Sequence, residues 1–200
     1  MRQLARTLVI LAVIGLAGVP SGAGAASGTP SDVVRHFFDT LLANMKNGQA
    51  LGAKGRYEKL EPVVFATFDV PFMTKMSVGL GWGRLTPEQK QRAAKAFGRY
   101  VAATYATQFD KFSGEAFQIL GDQKVPHGTI VRTRLVPSDD EPVAINYMLH
   151  DNDTTWQIRD VYLTGTVSEL ATKRSEFSSI LRSGGIDALI ARLNKRADDL

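Results

Sequence analysis

Two side chains on one predicted strand offer the chemistry best suited to catalysis in this sequence. Asp160 and Tyr162 stand two positions apart in the segment 155–163, and residues two apart in a strand share one face of the sheet. A carboxylate and a phenol on one face can act as general base and proton donor toward an apolar substrate. A small isomerase-like or hydrolase-like enzyme, built on a cone-shaped α+β fold, is therefore one hypothesis.

The other residues with catalytic or metal-binding chemistry form no known constellation. The three histidines, His36, His127 and His150, are not spaced three or four positions apart as helical metal ligands are. The turn DNDT begins like a calcium loop, but Trp156 and Tyr162 stand where the loop needs glycine and glutamate. The chain has no cysteine, no G-x-S-x-G elbow, and no lysine with Ser or Thr after the glycines of GLGWG. The sequence predicts no catalytic residues, no metal and no cofactor.

An apolar segment is more conspicuous than any of these groups. The stretch FDVPFMTKMSVGLGWGRLTPEQ, residues 68–89, carries nine large apolar side chains and only three charged ones before its Thr-Pro. A surface of this kind is covered either by the protein's own core or by a bound apolar ligand. Its two central methionines have the flexible, polarisable side chains that adapt to irregular apolar surfaces.

Apolar residues at helical spacing predict the elements that position this segment. A first helix opens at Thr29 and ends at Asn47, and a second leads into the apolar stretch, where Pro71 starts a short helix. The clearest helix starts at Thr86 with a Thr-x-x-Gln capping box and should run for about 26 residues, or ~39 Å. Two helices close the chain, the first from residue 167 to 182, and Gly184-Gly185 separates them.

Between the long helix and the closing helices, apolar residues recur at every second position, as they do in strands. Four strands are predicted at residues 115–121, 129–136, 143–149 and 155–163, separated by turns rich in Pro, Gly, Asp and Asn. The alternation slips near Arg159-Asp160, which indicates a bulge. We expect an α+β fold in which a curved antiparallel meander has helices packed on one side and encloses an apolar cavity.

The N-terminus has the composition of a secretory leader. Arg2 and Arg6 precede the apolar run TLVILAVIGLAGV, and small residues surround Gly24, so residues 1–25 are predicted to be a cleaved signal peptide. Residues 26–200 then form a single domain, in which no apolar run reaches the ~20 residues of a spanning helix. The leader holds two arginines and no acid, so its removal lowers the formal charge of +4 by two. A periplasmic location is expected, and nucleic acid is not indicated as a partner.

Two segments of the chain resemble a known family. Residues 68–120, from FDVPFMTKM to EAFQIL, and residues 175–193, SEFSSILRSGGIDALIARL, are similar to the MlaC family of periplasmic phospholipid-binding proteins, also called the toluene-tolerance or Ttg2-type family. The resemblance extends over about residues 30–195. The first segment is more similar still to HpnM, the member associated with hopanoid biosynthesis.

The resemblance implies a lipid carrier and not an enzyme. Such proteins hold the apolar part of a phospholipid in a cavity and exchange it with an MCE-domain ABC transporter complex of the inner membrane and a lipoprotein/porin complex of the outer membrane. The likeness to HpnM adds a hopanoid as a second candidate ligand. Lys75 and Arg84 are the expected headgroup contacts. The expected lining residues come from the apolar segment, the long helix and one sheet face; they are Phe72, Met73, Met76, Trp82, Val101, Tyr105, Tyr147, Val161 and Leu163.

Overall fold

The computed structural model describes residues 28–200, so the predicted leader lies outside the described residues. Helices open and close this part of the chain, and a run of strands lies between them. The elements in order are α1 (Pro30–Lys46), α2 (Gly48–Thr67), α3 (Val70–Val78), a 3₁₀ turn (Gly79–Arg84), α4 (Pro87–Gln108), β1 (Ala116–Val125), β2 (Gly128–Val136), β3 (Val143–Asp151), β4 (Trp156–Leu163), β5 (Val167–Ser168) and α5 (Glu169–Asp198). Within residues 28–200, none of these helices combines the length and apolar character needed to cross a membrane.

A capping box fixes the start of α1, and a buried arginine fixes the position of α2. The Thr29 hydroxyl accepts a hydrogen bond from the Asp32 backbone N–H, and the Asp32 carboxylate accepts one from the Thr29 N–H, so α1 starts where the sequence predicts. α2 is kinked at Gly52, where φ is 61°. Arg56 on α2 is buried and donates from Nε to the carbonyl oxygen of Ala106 at 2.8 Å, which joins α2 to α4.

The apolar stretch folds into α3, the 3₁₀ turn and the start of α4. Pro71 lies in the first turn of α3, as predicted, and Asp69 caps that helix by accepting from the Phe72 N–H at 3.1 Å. The predicted capping box of Thr86 and Gln89 is present at the start of α4.

α4 is shorter than the sequence pattern suggests. It contains 22 residues and ends at Gln108, whereas the pattern predicts about 26 residues. Phe109 leaves the helix with a φ of −110° and ψ of 65°. Its ring stacks on Tyr105 at 5.8 Å and packs against Phe117 of β1 at 5.9 Å. Aromatic packing onto the sheet therefore ends the helix before Phe112, which the prediction had included.

The strands form one antiparallel sheet in the order β1-β2-β3-β4-β5. All four predicted strands are present, and β1 continues four residues beyond its predicted end to Val125. Register shifts leave Leu120 of β1 and Arg159 of β4 without a direct partner on the neighbouring strand. The second shift confirms the predicted bulge, and bulges of this kind bend a strand and increase its twist.

The closing segment differs from its prediction at the start. Val167 and Ser168 do not open a helix, because they pair with β4 as the short strand β5. The Ser168 hydroxyl then accepts from the Ala171 N–H and caps α5. The predicted interruption is present at Gly185, where a φ of 67° breaks the helical backbone within α5.

The core lies between the helices and one face of the sheet. Tyr147 and Leu149 of β3 and Ile158 of β4 point to that face and are fully buried, while Arg132 and Arg134 of β2 are exposed on the other face. This arrangement is the α+β fold predicted from the sequence.

Candidate functional site

A cavity of about 290 Å³, which we call the inner cavity, lies between the helices and the inner face of the sheet. Its walls come from α3, α4 and α5 on one side and from β3 and β4 on the other. Six of the nine expected lining residues line it; they are Met73, Val101, Tyr105, Tyr147, Val161 and Leu163.

Helical periodicity places the α4 wall. Phe97, Val101 and Tyr105 stand four positions apart and therefore share one face of the helix, and all three line the cavity. Phe109, at the next position of the series, adds its ring although it lies just beyond the helix end.

The bulge in β4 places the opposite wall. Tyr147 of β3 is the ladder partner of Val161, and Leu149 is the partner of Ile158. Ladder partners share a face, so all four side chains point inward although Ile158 and Val161 are three positions apart. If Arg159 were paired in a regular ladder with no bulge, strict alternation would put Val161, three positions after Ile158, on the outer face.

The floor of the inner cavity is aromatic and uncharged. The Phe37 ring lies edge-on to Phe68 at 5.1 Å and to Tyr105 at 4.9 Å, and its centroid is 6.3 Å from that of Tyr147. Burial raises the pKa of both tyrosines well above its ordinary value, and the nearby Tyr105 hydroxyl raises the pKa of Tyr147 further. Both phenols are therefore neutral across the physiological pH range.

The polar side chains of the inner cavity mark its mouth. Gln108 and Arg196 line the cavity and are exposed, and Glu169 and Lys173 stand beside them. Burial lowers the pKa of Lys173, but the hydrogen bonds and charges of Glu176 and Tyr100 together outweigh burial, so the net pKa is raised. The Lys173 Nζ donates to the Glu176 carboxylate at 2.9 Å. The mouth thus places charged side chains, among them the paired Lys173 and the exposed Arg196, beside an apolar interior.

A second depression of about 810 Å³, the outer cleft, opens to solvent on the other side of β4. Phe72 and Met76 of α3, two more of the expected lining residues, lie here with Met148 and Trp156. The guanidinium of Arg159 lies over the Phe72 ring at 4.4 Å, and its Nε donates to the Asp69 carboxylate at 2.8 Å. The bulged residue thus attaches α3 to the sheet.

Leu170 separates the two spaces, since it lines both of them. Asp160 holds this part of the chain in place. One carboxylate oxygen accepts from the backbone N–H groups of Val161 at 2.8 Å and Leu170 at 3.2 Å, and the other accepts from the Ser168 hydroxyl at 2.6 Å. Both oxygens are thus engaged in positioning β5 and the start of α5.

Replacing Asp160 with asparagine should lower the free energy of unfolding by about 1–2 kcal/mol, because the amide NH₂ cannot accept from the Ser168 hydroxyl. Urea denaturation measures the change. Tyr162→Phe is the matched control and should stay within about 0.5 kcal/mol of the wild type. An Asp160→Asn variant of unchanged stability that had lost turnover of an apolar ester or steroid-like substrate would contradict the structural role and favour the enzymatic one.

The remaining expected site residues lie elsewhere. Trp82 lines neither the inner cavity nor the outer cleft; its ring lies beneath the Lys90 ammonium, 6.0 Å from the centroid. Arg84 lines a separate groove of about 390 Å³ between the 3₁₀ turn and the break in α5. Lys75 is exposed on α3 and lines none of these three spaces. The structure therefore does not bring these three side chains together with the six of the inner cavity.

Several cavity residues were not among the expected ones. Phe97, Phe109 and Ile145 have the same phase as expected residues on their elements, so periodicity alone could have identified them. Leu170 and Lys173 could not be identified in this way, because their position depends on where β5 ends and α5 begins. Among residues 28–200 no group of three or more histidine or acidic side chains could hold a metal ion.

Comparisons with known proteins agree with this architecture. A phospholipid-binding protein from Ralstonia solanacearum, solved in complex with a phospholipid, superposes with a TM-score of 0.73 over 86% of this chain and 98% of that chain. The sequence identity is 20%, so this likeness establishes a shared fold. Residues 35–195 match the family described as MlaC protein. Because this match spans most of the 200 residues, the chain belongs to the MlaC family.

Proposed function

We propose that this protein is a lipid carrier that holds the apolar part of a phospholipid or a hopanoid in the inner cavity. The observation that carries the proposal is an aromatic cavity between the sheet and α4 whose charged lining residues, Glu169, Lys173 and Arg196, lie only at its mouth. Membership of the MlaC family supports it, as does the fold shared with a protein described as phospholipid-binding.

The chemistry of the inner cavity suits a hydrocarbon ligand. Each CH₂ group moved out of water contributes about 0.8 kcal/mol, and this gain needs no directional partner. A neutral floor lets a chain bind without leaving a charge unpaired. Lys173 and Arg196 at the mouth are placed to meet a phosphate group, whereas Lys75 and Arg84 line neither the inner cavity nor the outer cleft.

Loading must widen the inner cavity. Its volume of about 290 Å³ lies at the lower limit of small-ligand sites, which occupy ~300–1,000 Å³. Leu170 is the side chain whose displacement would join this space to the outer cleft, because it lines both. A ligand with two chains would then extend past Leu170 toward Phe72 and Met76.

The predicted leader and membership of the MlaC family support a periplasmic location for the carrier. There it would exchange lipid with an MCE-domain ABC transporter complex in the inner membrane and with a lipoprotein/porin complex in the outer membrane. The enzymatic alternative, based on Asp160 and Tyr162, has less support, because both oxygens of the Asp160 carboxylate already accept hydrogen bonds from neighbouring groups.

The mature protein, expressed in a bacterial periplasm and purified without detergent, should carry lipid at up to one molecule per chain. Native mass spectrometry measures the bound mass, and lipid extraction identifies its class. A chain that carries no lipid and takes up none after delipidation and exposure to phospholipid vesicles would overturn the carrier function.

The same measurement decides between the two lipid classes. Protein loaded with phospholipid is incubated with increasing hopanoid, and the two bound masses are compared. Displacement at comparable concentrations supports the hopanoid as a ligand, since its rigid rings can stack on flat walls such as Tyr105 and Tyr147. Failure to displace phospholipid at any accessible concentration assigns the site to phospholipid alone.

A further inference from the structure

The 3₁₀ turn between α3 and α4 projects an apolar side chain into solvent. Leu80 is 88% exposed, far more than any other large apolar side chain among residues 28–200. It stands between Gly79, where φ is 72°, and Gly81, and no residue of the turn is buried. Trp82, two positions later, is half-buried. We call residues 79–84 the tip.

The tip is surrounded by cations. The Arg174 guanidinium lies against Gly79, since a Cβ built on that glycine would be 3.0 Å from its Nε. Lys90 lies over the Trp82 ring, and Arg84 and Arg182 line the groove beside the turn.

Few acids balance these charges. In segments 70–92 and 171–190, the structure pairs Arg92 with Asp187 and Lys173 with Glu176. The only other acid in the two segments is Glu88. Five cations remain for which the structure records no ion pair among residues 28–200; they are Lys75, Arg84, Lys90, Arg174 and Arg182.

We propose that the tip docks the protein on an anionic lipid bilayer, with Leu80 inserted at the interface and the surrounding cations facing the headgroups. An apolar side chain at the apex of a turn can enter a lipid surface without a preformed pocket. Cations spread over several elements form a broad positive field, and such a field matches a charged surface better than one fixed carboxylate. An exposed leucine within that field is typical of interfacial binding, in which apolar insertion and electrostatic attraction add.

The reason for docking rests on the proposed carrier function, whereas the docking surface itself does not. The tip is formed by the segment that follows α3, whose Phe72 and Met76 line the outer cleft. A membrane contact at the tip would bring the bilayer close to that cleft, on the path by which a lipid chain reaches Leu170.

Vesicle flotation tests the proposal directly. The delipidated mature protein should float with vesicles of phosphatidylcholine containing one-third phosphatidylglycerol, and weakly or not at all with phosphatidylcholine alone. Binding should be released at 1 M salt, where the Debye length is about 3 Å. Leu80→Glu should weaken binding at least tenfold, and Arg84→Glu combined with Arg182→Glu should do the same. Leu120→Glu, a change at an exposed leucine of the sheet, should bind as the wild type does.

Two further measurements test the electrostatic attraction and the insertion of the tip separately. Arg182→Lys should retain binding, because a field effect needs the charge and not the guanidinium geometry. With Trp156→Phe in place, Trp82 is the only tryptophan, and brominated lipids should quench its fluorescence. Equal binding by Leu80→Glu and the wild type, or no flotation with anionic vesicles, would overturn the proposal and leave an acidic protein as the better occupant of this surface.

Docking and lipid carriage fail in distinguishable ways. Leu80→Glu lies outside both cavities and should carry the same amount of lipid as the wild type in native mass spectrometry. A wild-type protein that loads lipid normally but does not bind vesicles would remove the docking role alone. Vesicle binding by a protein that never carries lipid would remove the carrier function alone.

Discussion

Replacing Val101 with tryptophan should reduce the amount of bound lipid at least tenfold while the protein remains folded. Val101 lies on the cavity side of α4 and is only partly buried, since its side chain faces open space. An indole in place of the isopropyl group would occupy a large part of the 290 Å³ that a lipid chain needs. Native mass spectrometry of detergent-free protein measures the loading, and thermal unfolding measures the stability.

Two tryptophan substitutions serve as controls for this variant. Met76→Trp fills part of the outer cleft and distinguishes the two spaces, because it should lower loading only if the ligand extends past Leu170. Val167→Trp changes a half-exposed valine outside both cavities and should alter neither loading nor stability. Overpacking a filled core costs about 1–3 kcal/mol. Normal loading of Val101→Trp together with a loss of that size would show that Val101 belongs to the packed core.

The sequence identifies elements well where a local signal sets them. The capping residues Thr29 and Thr86 fix the starts of α1 and α4, because their hydroxyls satisfy backbone N–H groups at the helix ends. The bulge at Arg159 is also visible locally, because an extra residue in a strand shifts the two-residue period of the apolar side chains.

Positions that depend on tertiary packing were harder to predict. α4 ends early because Phe109 packs on Phe117 of β1, on the other side of the connection 109–115, and the apolar spacing of the sequence does not indicate this contact. β5 forms because Ser168 pairs with Tyr162 of β4. The position of Leu170 between the two cavities follows from that pairing, so it also depends on tertiary structure.

The candidate site was predicted best on the regular elements. Val101, Tyr105 and Tyr147 lie where helical and strand periodicity places them. Trp82 is in the same apolar stretch as Met73 but lies beyond the break at Gly79, so its direction is set by the 3₁₀ turn and not by the phase of α3. A run of apolar residues therefore indicates that its side chains are shielded from water. It does not indicate whether the protein core or a cavity surrounds each of them.

Raising the pH above 10 should destabilise the protein steeply through Tyr105 and Tyr147. Burial holds the pKa of both phenols well above the ordinary value of about 10 in the folded state. Above pH 10 the unfolded chain loses these protons while the folded chain keeps them. The stabilisation is therefore fully present below pH 10 and is lost as the pH rises toward the folded-state values. Each tyrosine should contribute a fall of about 1.4 kcal/mol per pH unit, and the pair about 2.7 kcal/mol.

The double variant Tyr105→Phe/Tyr147→Phe isolates this effect. It retains both rings and removes both ionisable groups, whereas other groups with raised pKa values, such as Tyr57 and Lys173, remain in both proteins and cancel in the comparison. Urea denaturation at several pH values above 10 should show a steeper loss of unfolding free energy for the wild type than for the variant. Parallel curves would mean that the two phenols titrate in the folded protein as they do in water. The floor of the inner cavity would then be hydrated, and it would not offer the dry surface that a hydrocarbon chain requires.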